Sequence, residues 1–148
     1  NSFISSTFWT ERIGPAAAIK TLEVMEKTKS WKKITRLGEI LINIWKKLAI
    51  RHKLKLDING LPSLAKFTIK SKNSLFYKTY ITQKMLEHNF LAANGVYMST
   101  SHNIYILRKY EEFLDEIFYE ISLCEKGIYN VDYLLNFSLS NIPFGRLN

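Results

Sequence analysis

The sequence feature that most constrains the fold is a long amphipathic stretch at residues 30–52, which predicts a helix with one buried face. Ser30 precedes the apolar positions and is expected to be the N-cap. Because burial of each large apolar side chain contributes about 1.5–3 kcal/mol, this face must pack against a second layer. The apolar positions recur at intervals of three and four residues and are Trp31, Ile34, Leu37 or Gly38, Leu41, Trp45 and Leu48.

The periodicity changes from helical to two after this helix, which indicates β-strands. The sequence LDINGLP predicts a strand that ends in a turn at Asn59-Gly60. Residues 65–70 alternate apolar and polar side chains, as in a strand with one solvated face. The two segments together predict an antiparallel pair. A turn at Asn94-Gly95 precedes a short third strand, Val96-Tyr97-Met98.

Three further helices are predicted around these strands. The first begins at Gly14-Pro15, because proline at the first helical position loses no needed N–H group. Another follows the strand pair and continues to about residue 89, and the last runs from the polar residues 99–103 to about Lys126, where Gly127 ends it. The inner residues of these two helices are Tyr77, Ile81 and Met85, and then Leu107, Tyr110, Leu114, Ile117, Phe118 and Ile121.

The order of these elements predicts an α+β fold, with a small antiparallel sheet of about three strands covered by helices. We expect three parts: a first segment and helix at residues 1–28, a domain at residues 29–127, and a tail at residues 128–148. The tail is too apolar to remain free in solvent and is expected to dock on a surface. Its docking residues are predicted to be Tyr133, Leu134, Leu135 and Phe137.

The charge is unevenly distributed along the chain. Residues 20–72 contain fourteen Lys and Arg against four acidic residues, whereas residues 73–148 contain six against eight. One hypothesis is therefore a nucleic-acid-binding α+β module that uses the basic region at residues 29–55. The lysines fall mostly on the polar side of predicted helices, which is typical of a solvated face, so we predict no nucleic-acid partner. Another alternative is a non-catalytic protein-interaction domain that docks through the first helix and the tail.

A self-contained active site is not evident in the sequence. His52, His88 and His102 are far apart, and none has the spacing of a metal site. Cys124 is the single cysteine, which excludes an internal disulfide. We therefore assign no catalytic residue and no metal ligand. No apolar run has the length of a membrane span and no signal peptide is evident, so we expect a cytoplasmic protein with no membrane partner.

One segment near the start of the chain carries possible binding chemistry. Ser5, Ser6 and Thr7 place three hydroxyl groups ahead of the first helix. Hydroxyl groups and free N–H groups at a helix start can donate hydrogen bonds to an anion. A hydroxyl-rich turn that caps the helix is the more common explanation of such a pattern.

The run SSTFWTERIGPAAAIKTLEVME resembles the segment that follows the cofactor-bearing lysine in class III aminotransferases, pyridoxal-phosphate (PLP) enzymes of fold type I. The stretch GVYMST, followed by a polar loop and a helix, is similar to the glutamate-1-semialdehyde 2,1-aminomutase group. The resemblance covers nearly the whole chain to about Gly127 and implies a C-terminal fragment. Residues 1–28 would belong to the large domain and the dimer interface, and residues 29–127 would form the small domain.

The resemblance also implies a cofactor and a role for the hydroxyl groups. Thr7, supported by Ser6, would bind the PLP phosphate of the neighbouring subunit in a homodimer. Gly14-Pro15 follows Thr7 at a greater spacing than the corresponding proline follows the threonine of the family. Thr10 is therefore a possible substitute for Thr7 as the phosphate ligand. The Schiff-base lysine would lie upstream, so the fragment would be inactive alone. The parent would act on small-molecule amino donors and acceptors, of amino-acid or amino-sugar type.

Overall fold

The computed structural model describes residues 11–136 of the chain. The elements in this range confirm the predicted α+β fold with a three-stranded antiparallel sheet. The chain divides into two units, one that extends to Lys33 and one that begins at Ile34. The elements are α1 (Ile13–Thr28), α2 (Ser30–His52), β1 (Leu56–Asn59), β2 (Leu64–Ile69), α3 (Ser74–Glu87), β3 (Gly95–Tyr97), α4 (Ile104–Glu125) and a 3-10 helix (Val131–Tyr133).

The first helix begins at Ile13, one residue before the predicted start at Gly14-Pro15, so Pro15 is its third residue, and none of its residues is buried. It ends at Lys29, which has a left-handed backbone with φ of 50° and donates its N–H to the carbonyl of Met25. Ser30 follows as the first residue of α2. The prediction of Ser30 as an N-cap was therefore wrong: the bend between the helices is made by the backbone of Lys29, so Ser30 already lies within the second helix.

The sheet has the order β1-β2-β3, and both neighbouring pairs are antiparallel. Leu56 pairs with Ile69, and Ile58 pairs with Phe67. Alternate residues of β2 are buried, as its period of two predicts. The third strand lies one residue earlier than predicted, because Gly95 already pairs with Lys66.

An aromatic cluster joins the sheet to two of the helices. The ring of Phe67 on β2 lies 4.9 Å from that of Trp45 on α2 and 5.7 Å from that of Phe118 on α4. The buried indole of Trp45 donates a hydrogen bond to the Tyr110 hydroxyl at 3.1 Å. This bond provides a partner for each of two polar groups that burial would otherwise leave unsatisfied.

The turn after β1 lies directly against the backbone of α2 at Gly38. A Cβ atom built on Gly38 would lie 1.9 Å from the carbonyl oxygen of Pro62. Any side chain at this position would therefore collide with the backbone of the turn. This contact explains why a glycine interrupts the apolar face of α2 next to the buried Leu37.

The start of the tail is held on α3. The side chain of Gln83 donates to the carbonyl of Leu134 at 3.3 Å and accepts from the backbone N–H of Asn136 at 2.9 Å. Leu134 and Leu135 pack partly buried against the core. Tyr133 is 87% exposed, so its predicted docking was wrong. It lies at the end of the short 3-10 helix, whose opposite side faces the core through Val131. Phe137 lies outside the described residues.

Candidate functional site

The predicted phosphate ligands Ser6 and Thr7, and the substitute Thr10, lie outside the described residues. The helix that follows them is described, and its apolar side chains are notable. Ile19 is 60% exposed and Leu22 is 64% exposed. Ile13 and Val24 are exposed as well. Exposed apolar side chains of this kind form a candidate interaction surface.

A row of ion pairs connects α2 to α4. The Lys47 ammonium lies 2.7 Å from a Glu111 carboxylate oxygen, and Arg51 pairs with Asp115. The His52 ring nitrogen Nε2 contacts the second oxygen of Asp115 at 2.6 Å. Two acidic residues of α4 are therefore paired with basic residues of α2. Lys47 and Arg51 are four residues apart, as are Glu111 and Asp115, and this matched spacing was a signal in the sequence.

These pairs change the electrostatics of the basic region. Burial raises the pKa of Asp115, but the hydrogen bond from His52 and the charge of Arg51 outweigh it, and the pKa is held below its usual value. The positive charges of Lys47 and Arg51 are offset by acids of the same domain. They are therefore poorly placed to bind the phosphates of a nucleic acid, which argues against the hypothesis of a nucleic-acid interface at residues 29–55.

Two tyrosines of α3 donate hydrogen bonds to acids of α4. The Tyr77 hydroxyl donates to Glu125 at 2.6 Å, and the Tyr80 hydroxyl donates to Glu120. Burial and the bond to Glu125 raise the pKa of Tyr77 to about 12, and the same causes raise the pKa of Tyr80 with Glu120 as its partner. Both phenols stay protonated at neutral pH, so these contacts hold α3 against α4 and offer no general base. Sequence periodicity missed Tyr80, which lies beside the inner row of α3 and is buried.

The histidines are each engaged in local contacts. His88 stacks on Phe113 with ring centroids 3.9 Å apart. Nδ1 of His102 lies 3.0 Å from the backbone nitrogen of Ser99, which donates to it. Across residues 11–136, no group of three or more His, Cys, Asp or Glu residues is arranged to hold a metal ion. Burial, followed by the charges of Glu125 and Glu120, raises the pKa of Cys124, so its thiol is poorly suited to act as a nucleophile.

An apolar cleft of about 260 Å³ lies beside β3 and the start of α4. Its walls include Leu91, Val96 and Ile106, and the lining side chains that carry polar groups are Tyr97, His102 and Tyr110. Burial raises the pKa of Tyr110, which keeps its hydroxyl protonated. The cleft therefore combines apolar walls with a few polar groups and lacks a carboxylate pair or a lysine among its lining residues.

No protein-family model and no curated protein matches this chain. Among solved structures, it is similar to the FumI protein of Sphingopyxis sp. MTA144, solved in its PLP internal aldimine form. The TM-score is 0.71 at 18% sequence identity, over 91% of this chain and 33% of that one. This chain has the fold of one third of the FumI structure. At this identity the likeness is one of fold, and the chain spans only about a third of its neighbour's length.

The fold likeness and the sequence resemblance are separate observations. The run SSTFWTERIGPAAAIKTLEVME, which carries the resemblance most clearly, ends within α1, whereas the likeness in fold extends over most of the chain. Within the described range, no helix is both long enough and apolar enough to cross a bilayer.

Proposed function

We propose that this chain is the C-terminal portion of a PLP-dependent aminotransferase or aminomutase similar to the class III group. The observation that carries the proposal is the fold likeness, over 91% of the chain, to part of a structure solved with PLP. The run SSTFWTERIGP supports it independently, because the resemblance in that run depends on residue identities. In this proposal, residues 29–127 form the small domain and line one side of the substrate cleft.

The exposed face of α1 supports the placement of residues 1–28 at the large domain and the dimer interface. This helix buries none of its residues although Ile19, Leu22 and Met25 follow helical spacing. Most helical stability in proteins comes from packing of such a face. We therefore propose that the large domain, or the second subunit of a homodimer, covers α1 in the parent enzyme.

The hydroxyl groups of Ser6 and Thr7 fit the chemistry of a phosphate ligand. They are neutral donors just ahead of a helix, where N–H groups without intrahelical partners also favour an anion. They would hold the PLP phosphate of the neighbouring subunit, and each bond to the charged phosphate would contribute about 1.5–3 kcal/mol. PLP, when bound, supplies an electron sink that stabilises carbanion charge. The covalent lysine and the substrate, an amino acid or amino sugar, belong to the parent enzyme.

Thr7→Ala in the full-length parent tests the assignment of the phosphate ligand. Loss of one charge-assisted hydrogen bond is expected to weaken PLP binding by about tenfold or more, which equilibrium dialysis measures. Thr21→Ala is the matched control, because the Thr21 hydroxyl bonds only the carbonyl of Ala17 on its own exposed helix. Cofactor affinity unchanged in Thr7→Ala and reduced in Thr10→Ala would transfer the role to Thr10.

The 148-residue chain alone is expected to be inactive, since the lysine that binds PLP covalently is proposed to lie upstream. After incubation with PLP and extensive dialysis, the chain should retain no visible cofactor absorbance and show no amino transfer. Retained absorbance that borohydride converts to a stable adduct on one of the chain's own lysines would contradict the proposal.

A further inference from the structure

A basic cleft lies where α2 and α4 end. It has a volume of about 400 Å³, and its charged lining residues are Lys53, Lys55, Lys70, Lys126 and Glu125, with His52 at its edge. We propose that this cleft binds a small molecule through an oligophosphate group. The inference goes beyond the proposed enzyme function and concerns residues of the second unit only.

Backbone hydrogen bonds fix the positions of the four lysines. Lys53 has a left-handed backbone with φ of 57°, and its N–H donates to Ile50 at the end of α2. The N–H of Lys70 donates to the carbonyl of Lys55 at 2.8 Å, which sets these two residues side by side at the end of the β1–β2 pair. Lys126 follows α4 directly, and its N–H donates to Ser122. The four lysines therefore come from three separate segments and line one concavity.

The acid that lines the cleft, Glu125, and the acid paired with His52, Asp115, are engaged by other groups. One carboxylate oxygen of Glu125 accepts hydrogen bonds from Tyr77 at 2.6 Å and from Ser71 at 2.8 Å. Asp115 is held by Arg51 and His52. Among residues 11–136, no ion pair is formed by any of the four lysines of the cleft.

The charge that remains in the cleft is positive. The C-terminal ends of α2 and α4 each carry the equivalent of about half a negative charge, and Glu125 adds a full one. Together they offset about two of the four lysine charges. About two positive charges therefore remain after the two helix ends and Glu125 are taken into account. This remaining positive charge favours an anionic ligand.

The arrangement selects an oligophosphate over other anions. Lysine binds phosphate as a flexible point charge, and a chain of phosphates can contact several lysines at the same time. A single phosphate carries at most two negative charges and would meet fewer of them. A nucleic-acid duplex needs a continuous positive surface, and next to the cleft that surface is interrupted by the ion pairs of Lys47 and Arg51.

Calorimetric titration of the 148-residue chain with inorganic tripolyphosphate tests the proposal. Lys55→Gln combined with Lys70→Gln should weaken binding by about tenfold or more, because two charge-assisted contacts are lost. Lys46→Gln combined with Lys66→Gln removes the same charge from exposed positions outside the cleft and should change affinity less than about twofold. Lys126→Gln provides an independent variant on a different segment and should weaken binding as well. Circular dichroism checks that each variant is folded.

Further titrations separate the ligand classes. Adenosine triphosphate should bind at least as tightly as tripolyphosphate, and a higher affinity would show that the nucleoside adds contacts. Orthophosphate should bind about tenfold or more weakly than tripolyphosphate. The proposal is overturned if tripolyphosphate does not bind, if both double variants weaken it equally, if orthophosphate binds as tightly, or if a DNA duplex binds with the affinity of tripolyphosphate and with the same loss in the cleft variant.

Discussion

The two units of the chain use the same sequence pattern with opposite results. In the unit that begins at Ile34, apolar residues at helical spacing are buried, with Trp45, Leu48 and Leu114 at the centre of the core. In the unit that ends at Lys33, α1 carries apolar residues at the same spacing and buries none of them. The periodicity of apolar residues therefore predicts an apolar face, but it does not determine whether that face is buried within the chain.

The largest effect is expected from Trp45→Ala, which probes the buried side of this comparison. Removal of the indole should lower the free energy of unfolding by about 3–5 kcal/mol, since it empties the centre of the core and leaves the Tyr110 hydroxyl without its donor. Chemical denaturation of the chain measures this loss. Leu22→Ala on α1 should cost less than about 0.5 kcal/mol in the same assay, and a cost near that of Trp45→Ala would break the comparison.

A second contrast compares two glycines, one in each unit. Gly38→Ala should destabilise the chain by about 1–3 kcal/mol, because the new methyl group would overlap the Pro62 carbonyl unless the turn moves. Gly14→Ala meets nothing within 4 Å and should leave stability unchanged or raise it by less than about 1 kcal/mol. Thermal unfolding of both variants measures the difference. Equal stability of the two would show that the turn is not in contact with α2.

The ion pairs of Asp115 between α2 and α4 are expected to make an intermediate contribution to the free energy of unfolding, and this contribution depends on pH. Asp115→Asn should cost roughly 1 kcal/mol near neutral pH, where the carboxylate pairs with Arg51 and His52. The pKa of Asp115 is lowered on folding, so its contribution is present above the ordinary aspartate pKa. It is lost as pH falls from about 4 through the folded value, because the unfolded chain takes up the proton first.

Denaturation of the wild type and Asp115→Asn between pH 3 and pH 7 follows this dependence, and the two curves should converge at the acidic end. Glu112→Gln is the control, because Glu112 is an exposed acid on the same helix. A difference between the wild type and Asp115→Asn that stays constant with pH would assign the effect to packing.

The smallest effect is expected from the ion pair on α1. Lys20 and Glu23 lie 2.9 Å apart, and both side chains are largely exposed. Glu23→Gln should change the free energy of unfolding by less than about 0.5 kcal/mol, because solvent screens such a pair. Urea denaturation measures this change, and a loss above 1 kcal/mol would show that α1 is held more firmly than its exposure implies.

Most of the fold could be predicted from the sequence, because each element buries one face. The alternation in β2 and the apolar row of α4 were sufficient to predict those elements and their inner residues. Features that depend on two elements at once were harder to predict. The role of Gly38 requires the position of Pro62, and the partner of Asp115 requires the alignment of α2 with α4.

The candidate site could be predicted only in part, for a different reason. Physical chemistry shows that hydroxyl groups such as those of Ser6 and Thr7 can bind a phosphate, and only the family resemblance selects PLP. In the proposed parent, the lysine, the substrate and the second subunit that complete the site lie elsewhere. The basic cleft was hidden for a related reason, since Lys55 and Lys70 become neighbours only when β1 and β2 pair.

The hydrogen bond between Trp45 and Tyr110 has a consequence for the uniqueness of the fold. Apolar side chains such as leucine and isoleucine can exchange positions in a core with little change in energy. An entirely apolar core therefore tolerates several packing arrangements of similar energy. A directional bond between two buried groups on different helices has one satisfactory geometry. If one helix slid or rotated relative to the other, both buried polar groups would lose their hydrogen-bond partner. This bond therefore favours a single relative position of the two helices.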